Sequence, residues 1–195
     1  MLIMLHKQTK KNLLLQAGLD IFYEKGFECT TIDDIVGRAT CGKGTFYRYF
    51  QSKEALFDEL ENSFKELLGN ELEINCPDHL PVKDYLTETI RTVVKVFKMH
   101  QKLGLIKFAR DQKLRGQKHE TCSKQNMPSI LHLENFLNKS IAAKNIRKLN
   151  VEAMTALVVG AAHFYLFRAF KLGIPFTEGE LEDTVEIILN GVLPS

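Results

Sequence analysis

Residues 30–56 read Thr30-Thr31-Ile32-Asp33-Asp34-Ile35-Val36-Gly37-Arg38-Ala39-Thr40-Cys41-Gly42-Lys43-Gly44-Thr45-Phe46-Tyr47-Arg48-Tyr49-Phe50-Gln51-Ser52-Lys53-Glu54-Ala55-Leu56. Three helix starts are written into this stretch. Thr31 is an N-cap residue, and Asp33 and Asp34 favour the positive end of the helix that follows. That helix is short and should stop near Thr40. Gly42 opens another, Lys43 to Phe50, and Ser52 caps a third with Glu54 in its first turn. Upstream, Leu14, Ala17, Gly18, Ile21 and Phe22 recur at i, i+3, i+4, i+7 and i+8, which is one face of a helix ending at Gly26. Two short helices joined by a tight turn, inside a three-helix unit, is the helix-turn-helix plan.

Working outward, the helical period continues nearly everywhere. Leu56, Phe57, Leu60, Phe64, Leu67 and Leu68 hold one face to about Leu72, where Asn75, Pro77 and Pro81 break it. Leu86, Ile90, Val93, Val94 and Phe97 define a fifth helix, and a shorter one covers Leu103 to Asp111. Lys113 to Pro128 is polar and reads as a loop. Helices follow at about 128–143 and 151–172, and the last carries Leu181, Val185, Ile188, Leu189 and Val192 on one face. The run Ala156 to Ala162 leaves its helix no polar side, which predicts burial all round, in part by a partner subunit. The expected class is all-α with about nine helices: an N-terminal three-helix helix-turn-helix domain, residues 1–52, and a C-terminal helical bundle, residues 53–195.

Composition bounds the function. A 195-residue chain with 45% apolar and 26% charged residues can build a core without staples. The net charge is only +2, which excludes a polycation but not a local basic patch. Residues 1–55 hold eight Lys/Arg and six Asp/Glu, so all the excess positive charge sits in the first quarter. Cys29, Cys41, Cys76 and Cys122 form no C-x-x-C pair and no zinc pattern, so free thiols in a cytoplasmic protein without metal or cofactor are expected. Cys29 and Cys41 are expected to be buried. Met1 to Leu5 is too short for a signal peptide, and Ala156 to Ala162 too short for a membrane span. No paired carboxylates or His/Cys arrangement has a catalytic spacing, so an enzyme is not expected.

The second short helix suits a DNA groove. Lys43 supplies charge and reach, Gly44 allows close approach of the backbone, and Thr45 offers a hydroxyl and a methyl. Tyr47, Arg48 and Tyr49 offer phosphate-directed donors, and Lys53 sits at a helix start that itself favours an anion. Tyr47 and Tyr49, two apart, cannot share one face, so at least one should be exposed.

Over residues 7–57 this pattern resembles the DNA-binding domain of the TetR family of bacterial transcriptional regulators. Gly26-Phe27, Thr30 to Val36, Ala39, Lys43 to Phe50 and Ser52 to Leu56 carry the likeness. The resemblance implies that Lys43, Gly44 and Thr45 lie at the major groove and that Tyr47 and Lys53 meet phosphates. It further implies that Thr31 caps the second helix against the DNA backbone and that Arg48 and Tyr49 touch bases or phosphates. Two departures stand out. Thr40 replaces a glycine in the turn, where a left-handed threonine would be strained, and Gly42 replaces a hydroxyl residue at the cap.

The resemblance also implies a homodimeric, ligand-responsive repressor that leaves a near-palindromic double-stranded operator when a small molecule binds. The alternative is a DNA-binding regulator without such a ligand, controlled by a protein partner. Leu157, Val158, Ala161, Leu181, Val185 and Ile188 are the expected dimer interface. Phe64, Phe97, Phe108, Phe136, His163 and Phe167 are candidates to line a pocket for a small apolar or aromatic ligand. For any one of the phenylalanines the simpler reading is core, and His163 also reads as a core or interface histidine.

Overall fold

The structure is a computed structural model that describes residues 9–106 and 128–190. Among the described residues every regular element is a helix, with no strand. The elements are α1 (Lys10–Lys25), α2 (Ile32–Arg38), α3 (Lys43–Tyr49), α4 (Lys53–Asn75), α5 (Val82–Met99), α6 (residues 101–106), α7 (Pro128–Ala142), α8 (Val151–Phe167) and α9 (Glu178–Asn190). A π-helical turn, Arg168–Leu172, extends α8 and ends at Gly173, whose φ of 66° is natural for glycine. Phe108, Cys122 and Val192, and most of the expected 113–128 loop, fall outside the described residues.

The chain forms two compact units. The first comprises residues 9–64 together with 99–106, and the second 65–98 together with 128–190. In the first unit α1, α2 and α3 pack on one another around Leu14, Phe22, Ile35, Phe46 and Leu56, all at most 1% exposed. A Cβ on Gly18 would come within 2.6 Å of Leu56 Cδ2, so this glycine permits the close approach of α1 and α4. Phe22, Phe27 and Phe57 meet edge-on or tilted at 5.1–5.8 Å, a favourable arrangement of ring quadrupoles.

In the second unit α7 packs on α8, and Tyr85, Leu86, Ile90, Leu133 and Val185 are buried. Antiparallel ion pairs tie α5 to the α9 region: Lys83 to Glu186 at 2.8 Å and Arg91 to Glu178 at 2.6 Å. The 20-residue span Val151–Phe170 is apolar and long enough to cross a bilayer by composition, but a third of it is buried within the protein. Its inner face, including Met154, Val158, Ala162 and Tyr165, belongs to the core. Within one protomer its outer face is open: Leu157 and Phe164 are each 57% exposed.

Candidate nucleic-acid interface

The second helix is fixed at both ends by its own sequence. Thr31 Oγ1 accepts from the Asp34 N–H at 3.2 Å, and Asp34 Oδ2 accepts from the Thr31 N–H at 3.0 Å, closing a capping box. Lys25 also bonds Asp34, and Lys25 with the Thr31 donors holds that carboxyl well below the usual range. Arg38 grips Glu24 through two parallel bonds, at 3.0 and 2.7 Å, so α2 is pinned to α1.

The turn that follows is a Schellman motif. The Cys41 N–H donates to the Val36 carbonyl at 3.0 Å and the Thr40 N–H to that of Gly37 at 3.3 Å. Thr40 has φ 48°, the left-handed conformation that glycine takes without strain. The departure at Thr40 therefore leaves the turn's geometry intact and places a β-branched residue where it is disfavoured. At Gly42 the helix start has no side-chain cap.

Helix α3 is anchored by Phe46 and Phe50, 0% and 3% exposed. With those two inward, Lys43, Gly44, Tyr47 and Arg48 share the opposite, exposed face, and half-buried Thr45 and exposed Tyr49 flank it. Both tyrosines are open, Tyr47 at 55% and Tyr49 at 37%. A Cβ on Gly44 would meet nothing within 4 Å, so the backbone is free to approach a flat surface there. Arg48 lies over the Tyr49 ring at 5.0 Å and donates to its hydroxyl at 3.3 Å. Lys43 pairs with Asp33 at 2.9 Å, and that carboxylate holds the ammonium above its usual range.

Lys53 stands apart from this face. Its Nζ donates to the carbonyls of Phe27 (2.9 Å), Glu28 (3.2 Å) and Thr30 (3.0 Å) and lies 4.8 Å from the centre of the Phe27 ring. The sequence carried no signal for this arrangement, nor for the Asp33–Lys43 pair, since Asp33 reads simply as helix-start charge. Cys29 is exposed and Cys41 half-buried, which corrects the expectation of two buried thiols; both sit in inter-helix turns, and among the described cysteines Cys76 is buried.

The other candidates are scattered. Phe64 lies in the first unit, edge-on to His100 at 6.2 Å. Phe136 lies in the second, stacked on Tyr85 and 2% exposed. Phe97 is half-buried, while His163 and Phe167 are exposed on α8, and Phe108 is outside the described residues. An open depression of about 510 Å³ is lined by Pro81, Val82, Lys83, Asn145, Glu186 and Leu189, none of them among these candidates. Of the expected interface residues, Leu157 is exposed and Ala161 and Ile188 half-buried, but Val158, Leu181 and Val185 are at most 1% exposed and face the protomer's own core. Thr155 is 5% exposed, and its hydroxyl has no hydrogen-bond partner among the described residues. No group of three potential metal ligands occurs among the described residues.

Residues 14–60 match the family model of bacterial regulatory proteins, tetR family. The chain is 27% identical over 194 residues to the HTH-type transcriptional regulator YuxN of Bacillus subtilis, covering 95% of this chain and 62% of the relative. It is 29% identical over 92 residues to YhgD of the same organism, covering 47% and 48%. These matches thus span between about half and three-fifths of the relatives' own length. Among solved structures, the fold is similar to that of the transcriptional regulator FadR from Bacillus subtilis, in complex with stearoyl-CoA, with a TM-score of 0.71, 19% identity, and 92% and 97% of the two chains covered.

Proposed function

We propose that this chain, whose residues 14–60 carry the helix-turn-helix domain of the tetR family of bacterial regulatory proteins, is a cytoplasmic homodimeric transcriptional repressor released from its operator by a small molecule. The observation that carries the reading is the exposed face of α3, where Lys43, Gly44, Tyr47 and Arg48 point away from a helix anchored by Phe46 and Phe50. Residues 1–52 read DNA, and residues 53–195 bind ligand and dimerise. In DNA, Lys43, Gly44 and Thr45 meet base edges from the groove, Thr31, Gly42 and Tyr47 meet phosphates, and Arg48 and Tyr49 reach either. Lys43 must exchange Asp33 for the DNA as it docks.

Two copies associate along the apolar outer face of α8, with Leu157 and Phe164 at its centre and α9 beside it. The two reading helices then enter successive major grooves, about 34–36 Å apart, which calls for a near-palindromic operator. The ligand is small and apolar or aromatic. The unpartnered buried hydroxyl of Thr155 offers a hydrogen-bond partner to one polar atom of such a ligand, because buried polar groups are rarely left without one. The acyl-CoA complex of FadR supports a bundle able to hold a long chain. Ligand binding biases the second unit, α4 runs from that unit into the first, and DNA must weaken the ligand by the factor by which the ligand weakens DNA.

Selection of bound duplexes from a random pool, followed by titration in salt, tests the reading. An inverted repeat with a log–log salt slope near −5 to −9, as roughly 6–10 phosphate contacts give, supports it. No enrichment combined with flat salt dependence refutes it. Operator release by fatty acyl-CoA esters or aromatic acids would identify the inducer class. No melting-temperature shift with any of them, and release by a protein fraction instead, would favour control by a partner.

A further inference from the structure

Lys53 resembles a phosphate contact by its place at the start of α4, yet its surroundings in the folded chain are of another kind. An ammonium has three N–H donors and no acceptor. All three of its donors are matched by backbone carbonyls, those of Phe27, Glu28 and Thr30. The ammonium also lies 4.8 Å from the centre of the Phe27 ring, a cation–π contact. The three carbonyls belong to the turn between α1 and α2, where Gly26, at φ 79°, has just ended α1. Thr30 is 2% exposed, and its hydroxyl donates to the Gly26 carbonyl at 2.8 Å. The next residue, Thr31, caps α2.

We propose that Lys53 is a positioning residue of the reading head, a three-point staple from the first residue of α4 to the α1–α2 turn, and that it is not a phosphate ligand. The chain of placement is short. Lys53 fixes the turn, the turn places Thr31, Thr31 starts α2, and the Schellman turn at Thr40 sets α3 relative to α2. The Lys53 ammonium could reach a phosphate only by leaving these three carbonyls. A second consequence is mechanical: the first turn of α4 and the start of α2 move as one body. Arginine cannot replace the lysine, because a planar fork does not converge three donors on three oxygens.

The proposal rests on the DNA-binding reading, but its first measurement does not. Lys53→Met, Lys53→Gln and Lys53→Arg are compared with the parent by thermal melting, then by binding to the selected operator across a salt series at a temperature where all are folded. The staple requires all three to melt lower, Met by about 4–8 °C for the loss of a charged hydrogen-bond set. It also requires operator affinity to fall about tenfold, the worth of a misplaced base contact, with the salt slope unchanged. A phosphate ligand behaves otherwise: Met lowers the slope by about 0.9, Arg keeps the parent affinity, and melting hardly moves. That pattern overturns the proposal, as does lower melting with unaltered affinity in all three, which would leave Lys53 a stabiliser only. If Met fails to fold, Gln and Arg carry the same comparison. If the parent binds no duplex at all, the functional reading fails while the melting result still decides whether the staple holds.

Discussion

Replacing Thr40 by glycine should stabilise the protein. Thr40 holds φ 48° at the C-terminus of α2, in a turn whose two closing hydrogen bonds are both made by backbone. An L-residue in that conformation costs roughly 1–2 kcal/mol, at the upper end for a β-branched side chain. Thr40 is exposed, and its hydroxyl makes no hydrogen bond among the described residues, so nothing attractive is lost with the side chain. Against the gain stands the extra freedom of glycine in the unfolded chain, about 0.5–1 kcal/mol. The net is a stabilisation of about 0.5–1 kcal/mol, or a melting temperature raised by about 1–4 °C for a chain of this size. Circular dichroism melts and urea titration of the parent, Thr40→Gly, Thr40→Asn and Thr40→Ala measure it. The expected order is Gly above Asn above Thr, with Ala gaining little because it keeps a Cβ at positive φ. Lys144, at φ 61°, occupies the equivalent place after α7, where the Asn145 N–H reaches the Ser140 carbonyl at 2.9 Å. Lys144→Gly should therefore act in the same direction. If Thr40→Gly melts at or below the parent, the strain is not in the backbone and the reasoning fails.

Thr31→Ala should cost about 1 kcal/mol by removing the α2 cap, read as a lower urea midpoint. Asp34 has a folded-state pKa below its unfolded one, held there by Lys25 and the Thr31 donors. Its contribution is present above the ordinary carboxylate pKa and is lost as pH falls toward the folded value. Asp34→Asn should accordingly be less stable at neutral pH and flatter in its acid limb; an unchanged acid limb would contradict this. Leu157→Glu should give a folded monomer by sedimentation, whereas Val158→Glu, aimed into the protomer core, should lose helical signal. The same outcome for both would show that their sides are misassigned. Tyr47→Phe should weaken binding to operator and to unrelated duplex alike, with melting unchanged; equal affinity to the parent removes it from the phosphate contacts.

The reading head was legible in the sequence because its signals are local. Thr31 and Asp34 stand three apart as a capping box requires, Gly26 ends α1, and Phe46 and Phe50 are one helical turn apart. These spacings fix α1 to α4 with no knowledge of distant contacts. Lys53 was legible only as a charge at a helix start, because its three partners lie 23–26 residues away and are main-chain oxygens that carry no residue identity. Helix α8 failed differently. With apolar residues all round, its phase is not encoded, so Leu157 and Val158 look alike, and packing alone assigns one outward and one inward. The phenylalanines were ambiguous for a related reason: a ring stacked in a core, as Phe136 is on Tyr85, and a ring lining a cavity have the same spacing.

The open stripe on α8 has a consequence for the cell's arithmetic. A protomer leaves Leu157 and Phe164 each 57% exposed; if two copies bury that face against each other, as proposed, pairing obeys mass action. Below the pairing constant, the number of paired molecules rises as the square of the number synthesised. If only pairs grip the operator firmly, halving the supply of chain cuts occupancy about fourfold in that regime, as the same mass action dictates. Control would then be sharpened by copy number before any inducer is present, with the steepness set by a few apolar side chains on one helix.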